Sequence, residues 1–573
     1  MSELDVDAQM AFWRTPPGVR RAYADGRFGQ IHYRIAEPTT GTDKTPLVCF
    51  HLSPNSGRVY ALWLAEMGKD RIAVAPDTPG FGESDPPPTP PEIADYAAAM
   101  GELIDHLGFD QIDVMGYHTG SRTCVEIAQQ RPKQIRRIIL VSAPTYSDEE
   151  LAIQYKTMGT PASDETTEDG RHLQRKWDGH YRWKDKDAPT IFVHREVTEA
   201  LRGGDKAWWG HHAAFRLQHA DHLPQVKQPI LILCPNDDLR EPTLRAAKYL
   251  QNGHIHELPD YSHGMLDVHT EDVAAVARSF LDGPADDIGA TAPRPVPVAP
   301  APVVRPNRRA FLETPGGQMH YRAVQPSAPS RTPFMCLHMS PNSGRIFEAI
   351  LGAMGTDRVT VAPDMPGFGE SDPPAERPEI ADYARAAARV ADALGLKQID
   401  VMGYHTGSET CIELALQRPD LVRRIVQISC PVFTDEELKQ LRENYGGRPI
   451  AADGSHIVGK WKHMLPFYGP LVPHDVLARN FAEGLRGGPI AHWGHRAAFN
   501  YDLRETLPKV SQPILVINPN DDLVEQTPRG LPLIQNVRMV EIKDRGHGFI
   551  DTMTDDFAQT LRDFLDTDTV SPS

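Results

Sequence analysis

No apolar run in the 573 residues approaches the roughly 20 needed to cross a bilayer. The first ten residues, Met1 to Met10, are acidic and lack the apolar core of an export signal. Cysteine is scarce, six in all, too few for a disulfide framework in a chain of this length. Cys49 and Cys336 fall in strand-like runs and Cys124 and Cys411 in helical ones, so we read them as buried free thiols of a cytoplasmic protein. There is no dense Lys/Arg run, and the net charge is −17. Nucleic acid and anionic membrane both demand a basic footprint, so neither is expected as a partner. The strong Cys/His spacings of zinc modules are also missing. Apolar residues at 40% and charged residues at 24% fit a soluble globular chain.

What is present is one unit written twice. His51-Leu-Ser-Pro-Asn-Ser-Gly-Arg58 recurs as His338-Met-Ser-Pro-Asn-Ser-Gly-Arg345, an offset of 287 (338 − 51). Pro76-Asp-Thr-Pro-Gly-Phe-Gly-Glu-Ser-Asp-Pro-Pro87 recurs from Pro363 at the same offset. Gly116-Tyr-His-Thr-Gly120 recurs as Gly403-Tyr-His-Thr-Gly407. Further on the offset is 284 (461 − 177), pairing Trp177 with Trp461, Asp238 with Asp522 and His263 with His547. A period this long means duplicated domains, each able to bury its own core. We expect a first domain over 1–281, a Pro/Ala-rich linker over 282–306, a second domain over 307–566 and a short tail over 567–573. The linker, seven of whose residues are Pro, tends to extended conformations and permits the copies to dock as an internal pseudo-dimer.

Within each copy short β-rich runs alternate with helical ones. In the first, residues 19–36 suggest two edge strands, followed by runs at 45–50, 71–75, 112–115, 135–141, 229–233 and 254–258. Helical spacing appears at 93–107, 121–130 and 271–281. This alternation predicts an α/β fold, a mostly parallel central sheet flanked by helices. The pattern lapses over about 145–222 and 432–506, where Trp, His and Arg gather; an insertion there would form a helical lid.

The two Gly-Tyr-His-Thr-Gly stretches each lie between a strand and a helix, the setting of a nucleophile elbow. With the His51 and Pro76 segments, they resemble the α/β-hydrolase family, over nearly all of both copies. That resemblance implies a site built in the order nucleophile, acid, His: His118, Asp238, His263, and again His405, Asp522, His547. The neighbouring Asp237 and Asp521 are alternative acids. It also implies oxyanion donors from the backbones of Thr119 and Ser53, and of Thr406 and Ser340. Two departures stand out. The elbow residue is His rather than Ser, and the Gly expected after His51 and His338 is Leu52 and Met339.

A neutral imidazole already carries a lone pair. His118 therefore suits attack on a carbonyl, with His263 activating water afterwards. The two imidazoles also suit acid–base work on one proton. A metal held by His118, His263 and His51 is a third arrangement, which the missing zinc spacings disfavour, so no metal or cofactor is expected. Hydrolysis of an ester, lactone or related acyl or C–C bond of a small molecule is the first reading. A lyase or proton-transfer reaction of a carbonyl compound, or a silent binding role, are the others. Arg58 and Arg345 are candidate clamps for a substrate carboxylate or members of ordinary salt bridges. Trp177 and Trp461 are candidate pocket walls or packing residues of the lid, and His211 and His495 face the pocket or are satisfied lid histidines. Asp77, Glu83, Ser84 and their counterparts Asp364, Glu370 and Ser371 are read as loop-stabilising. Ser121 and Ser408, next to the elbows, are expected to point away.

Overall fold

The structure is a computed structural model and describes residues 6–284, 291–301, 305–447 and 449–567. Each copy holds one eight-stranded sheet. In the first copy the strands are β1 (Val19–Gly26), β2 (Gly29–Ala36), β3 (Leu47–Phe50), β4 (Ala73–Pro76), β5 (Ile112–Tyr117), β6 (Ile135–Val141), β7 (Ile230–Pro235) and β8 (Gly253–Leu258). They lie in the order β1-β2-β4-β3-β5-β6-β7-β8. The second copy repeats this with β9 (Arg308–Thr314), β10 (Gly317–Val324), β11 (Phe334–Leu337), β12 (Thr360–Pro363), β13 (Ile399–Tyr404), β14 (Val422–Ile428), β15 (Ile514–Pro519) and β16 (Val537–Ile542). The β1–β2 and β2–β4 pairs are antiparallel, and every pair from β4–β3 through β7–β8 is parallel. Ile-Leu-Ile-Leu-Cys-Pro of β7 is buried throughout, as a strand covered by helices on both faces must be.

The helices Ile93–His106 and Thr119–Gln130 cover one face of the first sheet. Thr270–Leu281 covers the other, together with Ala61–Met67. All six cysteines are buried and free. Among the described residues no helix is long and apolar enough to cross a membrane. Of the linker expected over 282–306, residues 285–290 and 302–304 lie outside the described residues. Residues 291–301 carry no helix or strand. They run along the first copy, where Arg294 donates its N–H to the Gln129 carbonyl (2.8 Å) and pairs with Glu126 (2.6 Å). The expected tail lies outside the described residues beyond Thr567.

The lapse over 145–222 is helical: Asp148–Met158, Arg171–Trp183, Thr190–Arg202 and Trp209–Phe215. The second copy has Asp435–Asn444, Ser455–Met464, His474–Leu485 and Trp493–Asn500 in the same places. These two lids share one apolar core containing Leu173, Trp177, Val193, Ile457, Trp461 and Phe481. The Trp177 indole donates to the Ala452 carbonyl and the Trp461 indole to that of Glu168, each at 2.9 Å. Both rings therefore pack and anchor the lids against each other, the second of the two roles the sequence left open.

The hairpins β1–β2 and β9–β10 also meet. Arg21 donates its backbone N–H to the Gln318 side chain, and Arg309 donates its own to Gln30, each at 2.7 Å. Reciprocal pairs of this kind mark a two-fold relation. Beneath them lies a buried ionic network. Glu83 accepts from Arg202 of its own copy (2.6 Å) and from Arg322 and Arg486 of the other (2.8 and 3.3 Å). Glu370 accepts from Arg486 (2.5 Å) and from Arg34 (3.3 Å). Asp77 does stabilise its loop, accepting from the backbones of Gly57 and Glu83. Glu83 and Glu370 instead join the two copies, because their carboxylates turn outward from a loop whose own donors Asp77 and Asp364 already take.

Candidate active site

The elbow begins with a steric demand. A Cβ at Gly116 would lie 2.3 Å from the Gly120 carbonyl oxygen, and one at Gly120 would lie 2.0 Å from that of Phe50. Only glycine lets strand, turn and helix approach this closely. The turn places His118 at φ 48°, ψ −108° and His405 at φ 48°, ψ −116°. A non-glycine residue there costs about 1–3 kcal/mol, a strain typical of functional turns. Both rings stand at the C-terminal edge of the sheet, over the first turn of Thr119–Gln130 or Thr406–Gln417. The hydroxyl of Ser121 turns back to the His118 carbonyl (2.5 Å), and that of Ser408 to the Gly403 carbonyl (2.9 Å).

The second histidine is brought in by the lid as well as by the sheet. In the first copy His263 donates its backbone N–H to the Trp183 carbonyl (3.1 Å), and Asp185 donates its backbone N–H to the His263 carbonyl (2.6 Å). In the second copy His547 donates to the Phe467 carbonyl at 2.8 Å. The two imidazole centroids are 5.2 Å apart for His118 and His263, and 5.1 Å apart for His405 and His547.

Both aspartates of each doublet take part. His118 Nε2 lies 3.3 Å from Asp237 Oδ2, and His263 Nε2 lies 3.3 Å from Asp238 Oδ1. In the second copy His405 Nε2 lies 3.2 Å from Asp521 Oδ2, and His547 Nε2 lies 2.9 Å from Asp522 Oδ1. Asp237 has no exposed side-chain surface, while Asp238 is 43% exposed at the rim. The inner carboxylate is fixed from behind: Asp237 accepts from the Ser142 hydroxyl (2.5 Å) and the Leu239 N–H (2.9 Å). Asp521 accepts likewise from Ser429 and Leu523. Ser142 and Ser429 both sit at φ 53°, so each inner carboxylate leans on a second strained residue. The sequence reading missed these serines. Their signal was there, as the residue directly after Val141 and Ile428 at the ends of two matching strands.

The carboxylates and imidazoles act on one another's charge. Burial works against ionising Asp237, but the bond to His118 and the nearby imidazoles hold it below the ordinary carboxylate range. Burial likewise opposes ionising Asp238, but the bond to His263 and the charges of both imidazoles together draw it down to about 2. Burial disfavours a charged His263, yet Asp238 and Asp237 push its pKa up; in the second copy the rise falls on His405.

The four groups of each cluster offer ligand atoms within 4.8 Å of one another: His118, Asp237, Asp238, His263, and His405, Asp521, Asp522, His547. His51 is not among them. Its Nδ1 faces the Leu52 carbonyl (2.7 Å) and its Nε2 accepts the Thr78 N–H (2.8 Å). It braces two loops, and burial lowers its pKa.

Of the expected oxyanion donors, Thr119 and Thr406 open their helices, where the first N–H groups lack intrahelical partners. Ser53 donates its N–H to Thr119 Oγ1 at 2.8 Å, so that group is taken. Its hydroxyl is wedged beneath the lid: a Cβ at Gly210 would fall 1.9 Å from Ser53 Oγ, and one at Gly494 1.9 Å from Ser340 Oγ. That close approach explains the repeated Trp-Gly-His. His495 is electrostatically coupled to His405, and burial drives its pKa down to about 4. His211 stacks on Phe215 at 5.7 Å. Arg58 pairs with Glu199 (3.2 Å), donates to the Trp13 carbonyl (2.7 Å) and lies over the Trp13 ring. Arg345 pairs with Glu483 at 3.2 Å. Both arginines are thus committed to lid carboxylates, and the carboxylate-clamp expectation gives way to the salt bridge.

Residues 45–229 and 332–449, more than half of the chain, match the family model described as alpha/beta hydrolase fold, and the chain belongs to that family. An uncharacterized protein of Mycobacterium tuberculosis (strain ATCC 25618 / H37Rv) is 30% identical over 118 residues, 20% of this chain. That match spans about a third of the relative's length (34%). A poly(3-hydroxyalkanoate) depolymerase of Ectopseudomonas oleovorans is 24% identical over 243 residues, 41% of this chain and 84% of the relative. Among solved structures, the enol-lactonase from Burkholderia xenovorans LB400 covers 46% of this chain and 100% of its own, with 19% identity and a TM-score of 0.38.

Proposed function

We propose that the chain hydrolyses an ester, lactone or related acyl bond of a small molecule at its His-Asp-His sites, with 1–281 and 307–566 as two catalytic units. The observation that carries this reading is the pair of imidazoles facing each other across two carboxylates at the elbow of a hydrolase fold. The substrate carbonyl would lie over the helix N-terminus, where the Thr119 or Thr406 N–H and the helix dipole favour the developing oxyanion. Each elbow Nε2 is turned toward a buried carboxylate. That orientation favours water as the nucleophile over direct imidazole attack. His263 and Asp238, and His547 and Asp522, then handle the proton as base and later as acid. The shared lid core and the crossed ionic network support an internal pseudo-dimer. The free, buried cysteines support a cytoplasmic setting.

The test is turnover of a panel of short-chain aryl esters and lactones by the full chain and by the H118A/H405A double variant. Turnover lost in the variant is expected; equal turnover in both sinks the reading. A fluorophosphonate probe should leave both elbows unlabelled.

A further inference from the structure

We infer that each His-Asp-Asp-His cluster is a mononuclear divalent-metal site, formed by His118, Asp237, Asp238 and His263 in one copy and His405, Asp521, Asp522 and His547 in the other. The argument is geometric. A first-row ion such as zinc holds nitrogen and oxygen ligands at about 2.0–2.1 Å, so neighbouring ligands on a tetrahedron lie about 3.3 Å apart. In the first cluster the contacts are 3.3, 3.3 and 3.8 Å. In the second they are 3.2, 2.9 and 3.7 Å. In both copies the four ligand atoms all lie within 4.8 Å of one another.

Hydrogen bonding alone accounts poorly for this convergence. His263 Nε2 is a buried atom that makes no well-aligned hydrogen bond, although Asp238 Oδ1 lies 3.3 Å away. Asp237 Oδ2 already takes the Ser142 hydroxyl, yet it is approached by both imidazoles. Neutral rings presenting Nε2 lone pairs to an ion resolve the crowding. Their Nδ1–H groups are then left for outer partners, as metal-bound histidines require. His547 shows that pattern, with its Nδ1 3.0 Å from the Tyr404 hydroxyl. Ser142 and Ser429 orient the inner carboxylates as outer-shell donors do. A third group, Asp185, Asp187 and His269, lacks this support. Its counterparts in the second copy are Gly469, Leu471 and Met553, and Asp185 already accepts from the Ser262 and Asp187 N–H groups.

The site would account for the missing serine. A bound ion lowers the pKa of its water toward neutrality, so the fold no longer needs a side-chain nucleophile. With Nε2 of His263 or His547 held by the ion, the rim carboxylate Asp238 or Asp522 takes the water proton in place of the imidazole, and the hydroxide oxygen bonds to the acyl carbon. The C–O bond to the leaving group then breaks, and the departing alkoxide takes that proton. This catalytic use rests on the hydrolytic reading above; ion binding does not.

The experiment uses the full chain, stripped with a chelator and titrated with Zn2+, Mn2+ and Co2+ by calorimetry, with metal counted by mass spectrometry. Two equivalents per chain of at least one ion are expected, falling to one in H118A and in H405A. Bound Co2+ should show the visible absorption of a four- or five-coordinate nitrogen–oxygen site. The Co2+ readout needs only the wild-type chain, so a poorly folding variant does not blunt the test. Fewer than two equivalents with all three ions, or two retained in H118A/H405A, overturns the inference. Ions bound without esterase or lactonase turnover would sink the hydrolytic reading alone. Turnover unchanged in a chain that binds no metal would sink the metal site alone.

Discussion

The two copies hold the same four clustered side chains at distances that agree to within a few tenths of an ångström, and surround them differently. Glu196 in the first lid corresponds to Asn480 in the second, His180 to Met464, and Asp185 to Gly469. His547 faces the Tyr404 hydroxyl, whereas the Tyr117 hydroxyl has no partner. Elbow and strand ends leave no freedom, because glycine contacts near 2 Å and positive φ angles fix them. Lid walls tolerate change as long as the shared Trp177–Trp461 core survives. The contrast teaches that the elbow and its four polar groups were kept in both copies while the lid walls around them were free to diverge.

The contrast can be broken outright at the elbows. H118A/H405A should lose about 10²–10⁴-fold in kcat/KM, the usual worth of an acid–base group. The single variants then apportion turnover between copies. If H118A alone removes all of it, the second copy is a partner rather than an enzyme. Next in size, W177A should cost about 3–5 kcal/mol in a denaturant titration. Because the lids share that core, it should reduce turnover at both sites; an effect confined to the first would show the lids to be independent.

A third prediction separates the copies by pH. Burial lifts Glu196 to about 7, against the pull of Arg195, while Asn480 cannot titrate. A raised folded pKa means that the protonated carboxyl stabilises the fold. That contribution is complete below about 4.5 and is lost as pH rises through about 7. E196Q should therefore match the wild type at pH 4.5 and exceed it by about 2–3 kcal/mol at pH 8. Denaturant midpoints at the two pH values check this; equal differences at both would refute it. The smallest effect is expected at the lid arginines. R58A should cost about 1–2 kcal/mol, because a cation–π contact is lost along with the salt bridge. R345A should cost about 1 kcal/mol or less. KM should stay unchanged in both; a rise would restore the substrate-clamp role.

Much of this molecule was legible in order along the chain. Strand and helix runs appeared where predicted, since apolar periodicity reports burial directly. Gly116 and Gly120 flagged the elbow because backbone contact admits no side chain there. The site was legible only in part. Asp237 and Asp238 are adjacent in sequence, and spacing alone did not say which would turn inward. Ser142 carries no motif of its own. The roles of Arg58 and Trp177 stayed open because nothing local to them names their partners, Glu199 and Trp13 of the same copy for Arg58 and Ala452 of the other copy for Trp177.

The repeat, the elbow and the exchange of serine for histidine belong to the sequence itself, because each is dictated by contacts within a few residues or by covalent order. The convergence of four ligand atoms, the anchoring of each lid on its twin and the crossing of Glu83 and Glu370 between copies were decided only by tertiary structure. They join residues from roughly 25 to more than 400 positions apart, and such contacts are selected by packing and charge once the sheets have formed.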